Sequence, residues 1–182
     1  MSDNLRRYRA IRAALLQGYP GQPTGMLARH LLTLAALISG IVGSKSTQLP
    51  PMAAHVPDGT QPESRGKRLA RWLRNDRITE AGYCIPFAEV LLTHLALPTL
   101  VLVMAGSVVG RGGVALMLHG VYTGRALPLV WQVRKGAQGH FPADLHLALG
   151  TQVYTLIPPG ASVVVLGDGA FDGTRRQHMI QA

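Results

Sequence analysis

The sequence is poor in cysteine and acids, and no apolar run in it is both long and unbroken. Its one cysteine, Cys84, excludes an intrachain disulfide and a cysteine-cluster zinc site. The longest apolar runs are Leu31–Val42, interrupted by Thr33 and Ser39-Gly40, and Leu95–Met104, interrupted by Pro98 and Thr99. Neither reaches the roughly 18 residues that a bilayer span needs. The N-terminus Met1-Ser2-Asp3-Asn4 is polar and Arg-rich stretches follow, so no signal peptide is visible. A reduced, cytoplasmic setting without a membrane partner is the expectation. Disorder is excluded as well, because 47% of the 182 residues are apolar and only 15% are charged. That length suits one ordinary domain or two small ones.

What the protein does have is arginine. Lys and Arg number 18 against 9 Asp and Glu, and 15 of the 18 are Arg. Residues 1–80 hold 12 basic and 5 acidic groups, whereas residues 81–182 hold 6 and 4. An excess concentrated in one half is the pattern of a protein that brings one end to a polyanion. The guanidinium fork suits phosphate oxygens better than the point charge of lysine does. An ordinary domain with a basic surface would show the same totals, so the placement of the arginines has to decide.

Apolar spacing predicts a helix over Asp3–Gln17, with Leu5, Tyr8, Ile11 and Leu15 on one face and Arg6, Arg7, Arg9 and Arg12 largely off it. Thr24 is placed to cap a second helix running to about Val42, apolar nearly all round and therefore a core element. Ser46–Val56 reads as a short helix with Pro50 and Pro51 near its start, and Pro57-Asp58-Gly59 as a turn. In the helix predicted over Ser64–Asp76, Leu69, Trp72 and Leu73 form a narrow apolar arc. Lys67, Arg68, Arg71, Arg74 and Arg77 fan over the other side, with Arg65 one turn earlier and Asp76 the only acid counted against them. A solvated surface helix is the bland reading. The missing acids favour a helix that sets its arginines on DNA phosphates. The apolar arc is too narrow to favour a membrane surface.

After a short helix over Pro86–Leu97 the pattern changes. Leu100–Val109, Val114–Tyr122 and Ala126–Val133 are β-branched and Leu-rich runs joined by glycine-bearing turns, which predicts an antiparallel meander. A helix over Ala143–Ile157 follows, then the wholly apolar Ser162–Leu166, expected to be a strand buried on both faces. The order is β-β-β-α-β. The reading is of the α+β or α/β class: a helical region over 1–97, then an incomplete sheet domain over 98–182. A mean hydropathy of +0.18 agrees with an interior left uncovered.

One ordered series of segments resembles a known family. Val101-Leu102-Val103-Met104-Ala105-Gly106-Ser107, the Tyr122–Leu129 segment, Gly139-His140-Phe141-Pro142 before a helix, and Leu166-Gly167-Asp168-Gly169-Ala170-Phe171-Asp172-Gly173 are similar to the catalytic domain of bacterial insertion-sequence transposases of the DDE class, the IS-four type. Ser46–Pro50, Pro57–Gly59 and Ser64–Asn75 resemble that family's helical DNA-binding region, and the likeness extends over about residues 25–174. It implies a ribonuclease-H-like fold, transposon-end DNA as partner, and metal-dependent strand transfer with Mg2+. The candidate DNA-binding residues, read from the basic side of the helix, are Arg65, Lys67, Arg68, Arg71, Arg74 and Arg77. Asp168 matches the family's second catalytic, metal-binding acid. Ala105 stands where the first acid would be, and the third acid, a Glu, has no counterpart before residue 182. In that mechanism two divalent ions roughly 3.5–4 Å apart stabilise the attacking and leaving oxygens. A methyl group supplies no ligand to either, so the expectation is a truncated, catalytically incomplete relative. A non-catalytic regulator that pairs with an intact transposase, a homodimer, and an unfolded relic are the alternatives.

Other candidates carry less. Gly40–Ser46 is no phosphate loop, because Ser precedes Lys45 and a helix rather than a strand leads into it. His140 and His146 are not on one helix face, so a zinc pair is not expected. His119, Cys84, Trp131 and Phe171 read as structural residues.

Overall fold

The computed structural model describes residues 2–110, 112–136 and 141–167. The fold is α+β, and the protein forms two compact units, Met1–Phe87 and Ala88–Ala182. The division therefore falls ten residues before Leu97, inside a helix.

The first unit is helical. Ser2 caps α1 (Asp3–Gly18) by accepting the Leu5 N–H at 3.4 Å. Thr24 stands at the N-cap of α2 (Gly25–Ser44), but its hydroxyl makes no capping bond. Arg7 of α1 donates to the carbonyl of Ser39 at 3.1 Å and to Asn4 at 2.7 Å, which ties the first two helices together. Pro50 and Pro51 open the short α3 (Leu49–Ala54), where a missing N–H costs nothing. Gly40 lets α3 approach α2 closely: a Cβ there would lie 2.9 Å from the Met52 carbonyl oxygen. Helix α4 (Pro62–Leu73) starts two residues before the predicted Ser64, because Pro62 is pre-set for a first helical turn. The core joins Ala36, Leu37, Met52, Val56 and Leu69, with Tyr8 and Trp72 packed against it. Leu73, expected on the same arc, is instead 54% exposed at the last helical position. A one-turn helix, α5 (Glu80–Tyr83), leads into α6 (Ile85–Leu95), which crosses the division between the units.

Helix α2 corrects the sequence estimate of apolar length. At 20 residues it is long and apolar enough to cross a membrane by length and composition. Leu31, Ala35, Ala36 and Leu37 are buried on one stripe, whereas Met26 and Val42 are more than half exposed, so the helix is packed on one side rather than all round as expected.

The second unit is built on a mixed sheet. β1 (Thr99–Val109), β2 (Gly113–Tyr122) and β3 (Arg125–Lys135) form the antiparallel meander, α7 (Ala143–Tyr154) follows, and β4 (Ser162–Leu166) adds to β1 in parallel. The strand order is β3-β2-β1-β4. Proline is tolerated at 128 because β3 is an edge strand and the register shifts there, with Val130 opposite Leu118 but Pro128 opposite His119.

Alternation divides the sheet into two faces. Leu100, Leu102, Met104, Leu116, Leu118 and Val130 are buried on one. Helix α7 packs across β2 and β3 and contributes the buried Leu145, Leu149 and Val153. Gly106 accommodates the Phe141 ring just before that helix, where a Cβ would collide with it. The opposite face carries Val101, Val103, Ala105, Met117, Trp131, Val164 and Leu166, none of them fully buried, together with the fully buried Ala115. Val164 is 43% and Leu166 50% exposed. β4 is thus not the doubly buried strand its composition suggested. It lies at the sheet edge, with its residues alternately exposed and half-buried. Trp131, expected in the core, is half-buried on this face.

Candidate nucleic-acid interface

Helix α4 ends at Leu73, three residues short of the predicted Asp76, so Arg74 is its C-cap and Arg77 lies beyond it. The basic residues over 65–77 divide into two sets with different surroundings. Arg65 points back toward the end of α3. Its guanidinium donates to the carbonyls of Ala53 (3.0 Å), Val56 (2.7 Å) and Thr60 (2.6 and 2.8 Å) and lies 3.0 Å from the Asp58 carboxylate. The Ala53 and Val56 carbonyls, at the end of α3 and just past it, also accept from the Val56 and Asp58 N–H groups, so the Arg65 guanidinium adds a charged donor that ties the end of α3 to the 57–61 turn. Its side chain is 14% exposed. It is not offered to a phosphate. Arg68 lies 2.7 Å from the other Asp58 oxygen with its side chain 44% exposed, and Lys67 pairs with Glu63 at 2.8 Å in the i,i+4 relation. The count of acids against this helix therefore includes Asp58 and Glu63 besides Asp76. The Glu63–Lys67 spacing is readable in the sequence. The return of Asp58 onto α4 depends on how the 57–61 turn folds, and the local sequence shows it only as a turn.

Arg71, Arg74 and Arg77 form the second set. All three are exposed. Among the described residues no carboxylate pairs with Arg71 or Arg74, and Arg77 makes one long contact, 3.8 Å, to the Met26 sulfur. Arg71 lies in the last turn of α4, Arg74 at its C-cap and Arg77 three residues beyond, and exposed guanidinium groups of this kind are accessible to a polyanion.

Asp58 is the electrostatic centre of this region. Burial pushes its carboxyl upward, but the Thr60 hydroxyl and amide together with the Arg68 guanidinium outweigh that and hold it below the usual value of 3.8. A carboxyl depressed in the folded state stabilises the fold above its unfolded pKa. That stabilisation is lost as pH falls through the folded value. The helical unit is thus expected to lose stability between about pH 5 and about pH 2 more steeply than an Asp58→Asn variant does. Urea midpoints across that range check this, and parallel slopes for the two proteins would refute it.

The sheet unit holds the other sequence-derived position. Ala105 lies on the half-open face of β1, opposite Met117 of β2. β4 runs beside β1, with Leu166 opposite Val103, two residues before Ala105. Asp168 lies outside the described residues, as do His140 and Phe171. Hard divalent ions require several oxygen ligands, and around Ala105 the described residues are Val103, Met117 and the exposed Ser107. Those described residues supply one hydroxyl and no carboxylate. Among the described residues no group of three or more His, Cys, Asp or Glu could hold a metal ion. His119, opposite Val103 on this face, is half-buried with its Nδ1 unpartnered. Cys84 is half-buried, and burial together with the charge of Glu80 raises its thiol, which opposes a reactive thiolate.

Compared with models of protein families and with curated proteins, the sequence matches none.

Proposed function

We propose that this protein is a DNA-binding relative of the DDE transposases that lacks strand-cleaving chemistry. The observation that carries the reading is the cluster of exposed Arg71, Arg74 and Arg77, with Arg71 and Arg74 unpaired among the described residues, on a helical unit with a large excess of arginine. The sheet supports the relationship: three antiparallel strands, a helix and a fourth strand parallel to the first, in the order β3-β2-β1-β4, are what the first part of a ribonuclease-H-like domain would have. In this reading Ala105 occupies the place of the first acid and offers no ligand to either of the two Mg2+ ions of an intact relative. The protein binds transposon-end DNA in the cytoplasm, on the nucleoid, without cutting it.

Phosphate-dominated binding gives a linear fall of log K with log salt, with a slope of about 0.9 per phosphate neutralised. Replacing Arg71, Arg74 and Arg77 together by Ala is expected to reduce that slope by about 2–3. Fluorescence anisotropy with a labelled duplex over a salt series measures it. A slope unchanged in the triple variant removes α4 from the contact surface, and Mg2+-dependent nicking of transposon-end DNA by the purified protein overturns the non-catalytic reading.

A second reading is favoured by the uncovered sheet face, where Val164 and Leu166 are exposed. Here the protein pairs with an intact transposase as a subunit-poisoning regulator. Inhibition of an active relative in a mixed strand-transfer assay supports it, and no inhibition at excess protein rejects it.

A further inference from the structure

The arginines of α4 have a neighbour on another helix. Helices α2 and α4 are in contact, and a cavity of about 290 Å3 between α1, α2 and the α3–α4 turn is lined by Tyr8, Arg29, Asp58 and Arg68 among others. Arg29 of α2 and Arg68 of α4 thus stand beside one cavity, but their charges are met differently. Arg68 lies 2.7 Å from Asp58, whose other oxygen lies 3.0 Å from Arg65. One carboxylate already serves two guanidinium groups. Arg29 is exposed, and none of the ion pairs among the described residues includes it.

A second contact joins the same two segments further along. The Arg77 guanidinium lies 3.8 Å from the sulfur of Met26, in the first turn of α2, and Met26 is 51% exposed. Met26 and Arg29 are in the i,i+3 relation, so they share one flank of α2. Arg77 therefore reaches the flank that carries Arg29. On α4, Arg68 and Arg71 share a flank by the same spacing. Two elements contribute to one basic surface: Arg29 on α2, with Arg71 and Arg77 at and past the end of α4. The helix dipole does not favour this placement. The first turn of α2 contains no acid and is the positive end of the helix, so it repels a cation brought to it. An external polyanion turns that repulsion into attraction.

We propose that Arg29 is a phosphate contact of the DNA interface, which extends from the end of α4 across the N-terminal part of α2. The proposal rests on the DNA-binding reading and adds a residue that the basic pattern over 64–77 does not contain. Duplex DNA offers one negative charge per about 1.7 Å of its axis, dense enough to meet several guanidinium groups at once. A lipid surface requires a free apolar arc beside the arginines, whereas α4 packs Leu69 and Trp72 into the core.

Fluorescence anisotropy of the full-length protein with a labelled duplex over a salt series tests the assignment. Arg29→Ala and Arg29→Gln are each expected to lower the slope of log K against log salt by about 0.9, the share of one phosphate. Arg29→Lys, which keeps the charge, is expected to retain the wild-type slope. Arg125→Ala, which removes an exposed arginine of the sheet unit, is expected to leave it unchanged. Circular dichroism is expected to match the wild type throughout. An unchanged slope in both neutral variants overturns the proposal, as does an equal loss in Arg29→Lys or Arg125→Ala. If the triple replacement of Arg71, Arg74 and Arg77 lowers the slope and loss of Arg29 does not, the α4 interface stands without Arg29. If neither lowers it, the DNA-binding reading fails as well. Binding to phosphatidylserine vesicles as tight as to the duplex, lost in Arg29→Ala, assigns a lipid surface and also overturns the proposal.

Discussion

Replacing Arg65 by methionine is expected to lower the unfolding free energy of the helical unit by about 3–5 kcal/mol. Methionine keeps much of the length and apolar stem of arginine, so lost packing is a small part of the effect. What disappears is a guanidinium that serves three carbonyl groups and one carboxylate at once. The Ala53 and Val56 carbonyls then keep only their backbone donors in a part-buried site, and Asp58 keeps a partly buried charge with one cation fewer. Removing one partner of such a pair costs more than the pair itself contributes. Each unit contains one of the two tryptophans, Trp72 and Trp131, so a Trp131→Phe background lets urea titration followed by fluorescence report the helical unit alone. A loss below about 1 kcal/mol would show that Arg65 is a surface residue.

Leu149→Ala is expected to cost the sheet unit about 2–5 kcal/mol, whereas Val164→Ala should change it by less than about 1 kcal/mol. Leu149 is fully buried on α7, the helix packed on β2 and β3. Truncation there leaves a cavity that a helix lying on a sheet closes poorly. Val164 lies on the other face of the same sheet and is already 43% exposed. A Trp72→Phe background, with Trp131 reporting, measures both. Equal losses would mean that the two faces are equally covered, against the exposure described for β4.

Element type was legible in the sequence wherever the apolar period was clean. The helices over α1 and α2, the three-strand meander and the α7–β4 succession all follow from spacing and from glycine and proline positions. Boundaries moved where a single residue acted at a terminus, as Pro62 does for α4. Function-bearing detail was less legible because it depends on contacts across turns. Arg65 and Arg71 look alike in sequence, both arginines on one amphipathic helix. They differ because the 57–61 turn brings Asp58 to Arg65 and Arg68 and no acid to Arg71. Likewise, four successive apolar residues in β4 show that a strand forms there and not how many layers cover it. Burial on both faces requires a second packed layer, and no local pattern reports whether one exists. The α1–α2 cavity, lined by Tyr8 and Arg29, left no sequence signal, since those residues are 21 positions apart and neither belongs to a motif.

The open side of β4 has a consequence for handling the protein. Val163, Val164, Val165 and Leu166 lie at the edge of the sheet with no proline, lysine or bulge to blunt it among the described residues. Such a border hydrogen-bonds readily to any extended segment of similar character, including the same strand of a neighbouring molecule. Concentration therefore becomes a variable of behaviour in its own right: raising it favours lateral growth into ribbons, and a lysine introduced at position 164 is the simplest brake.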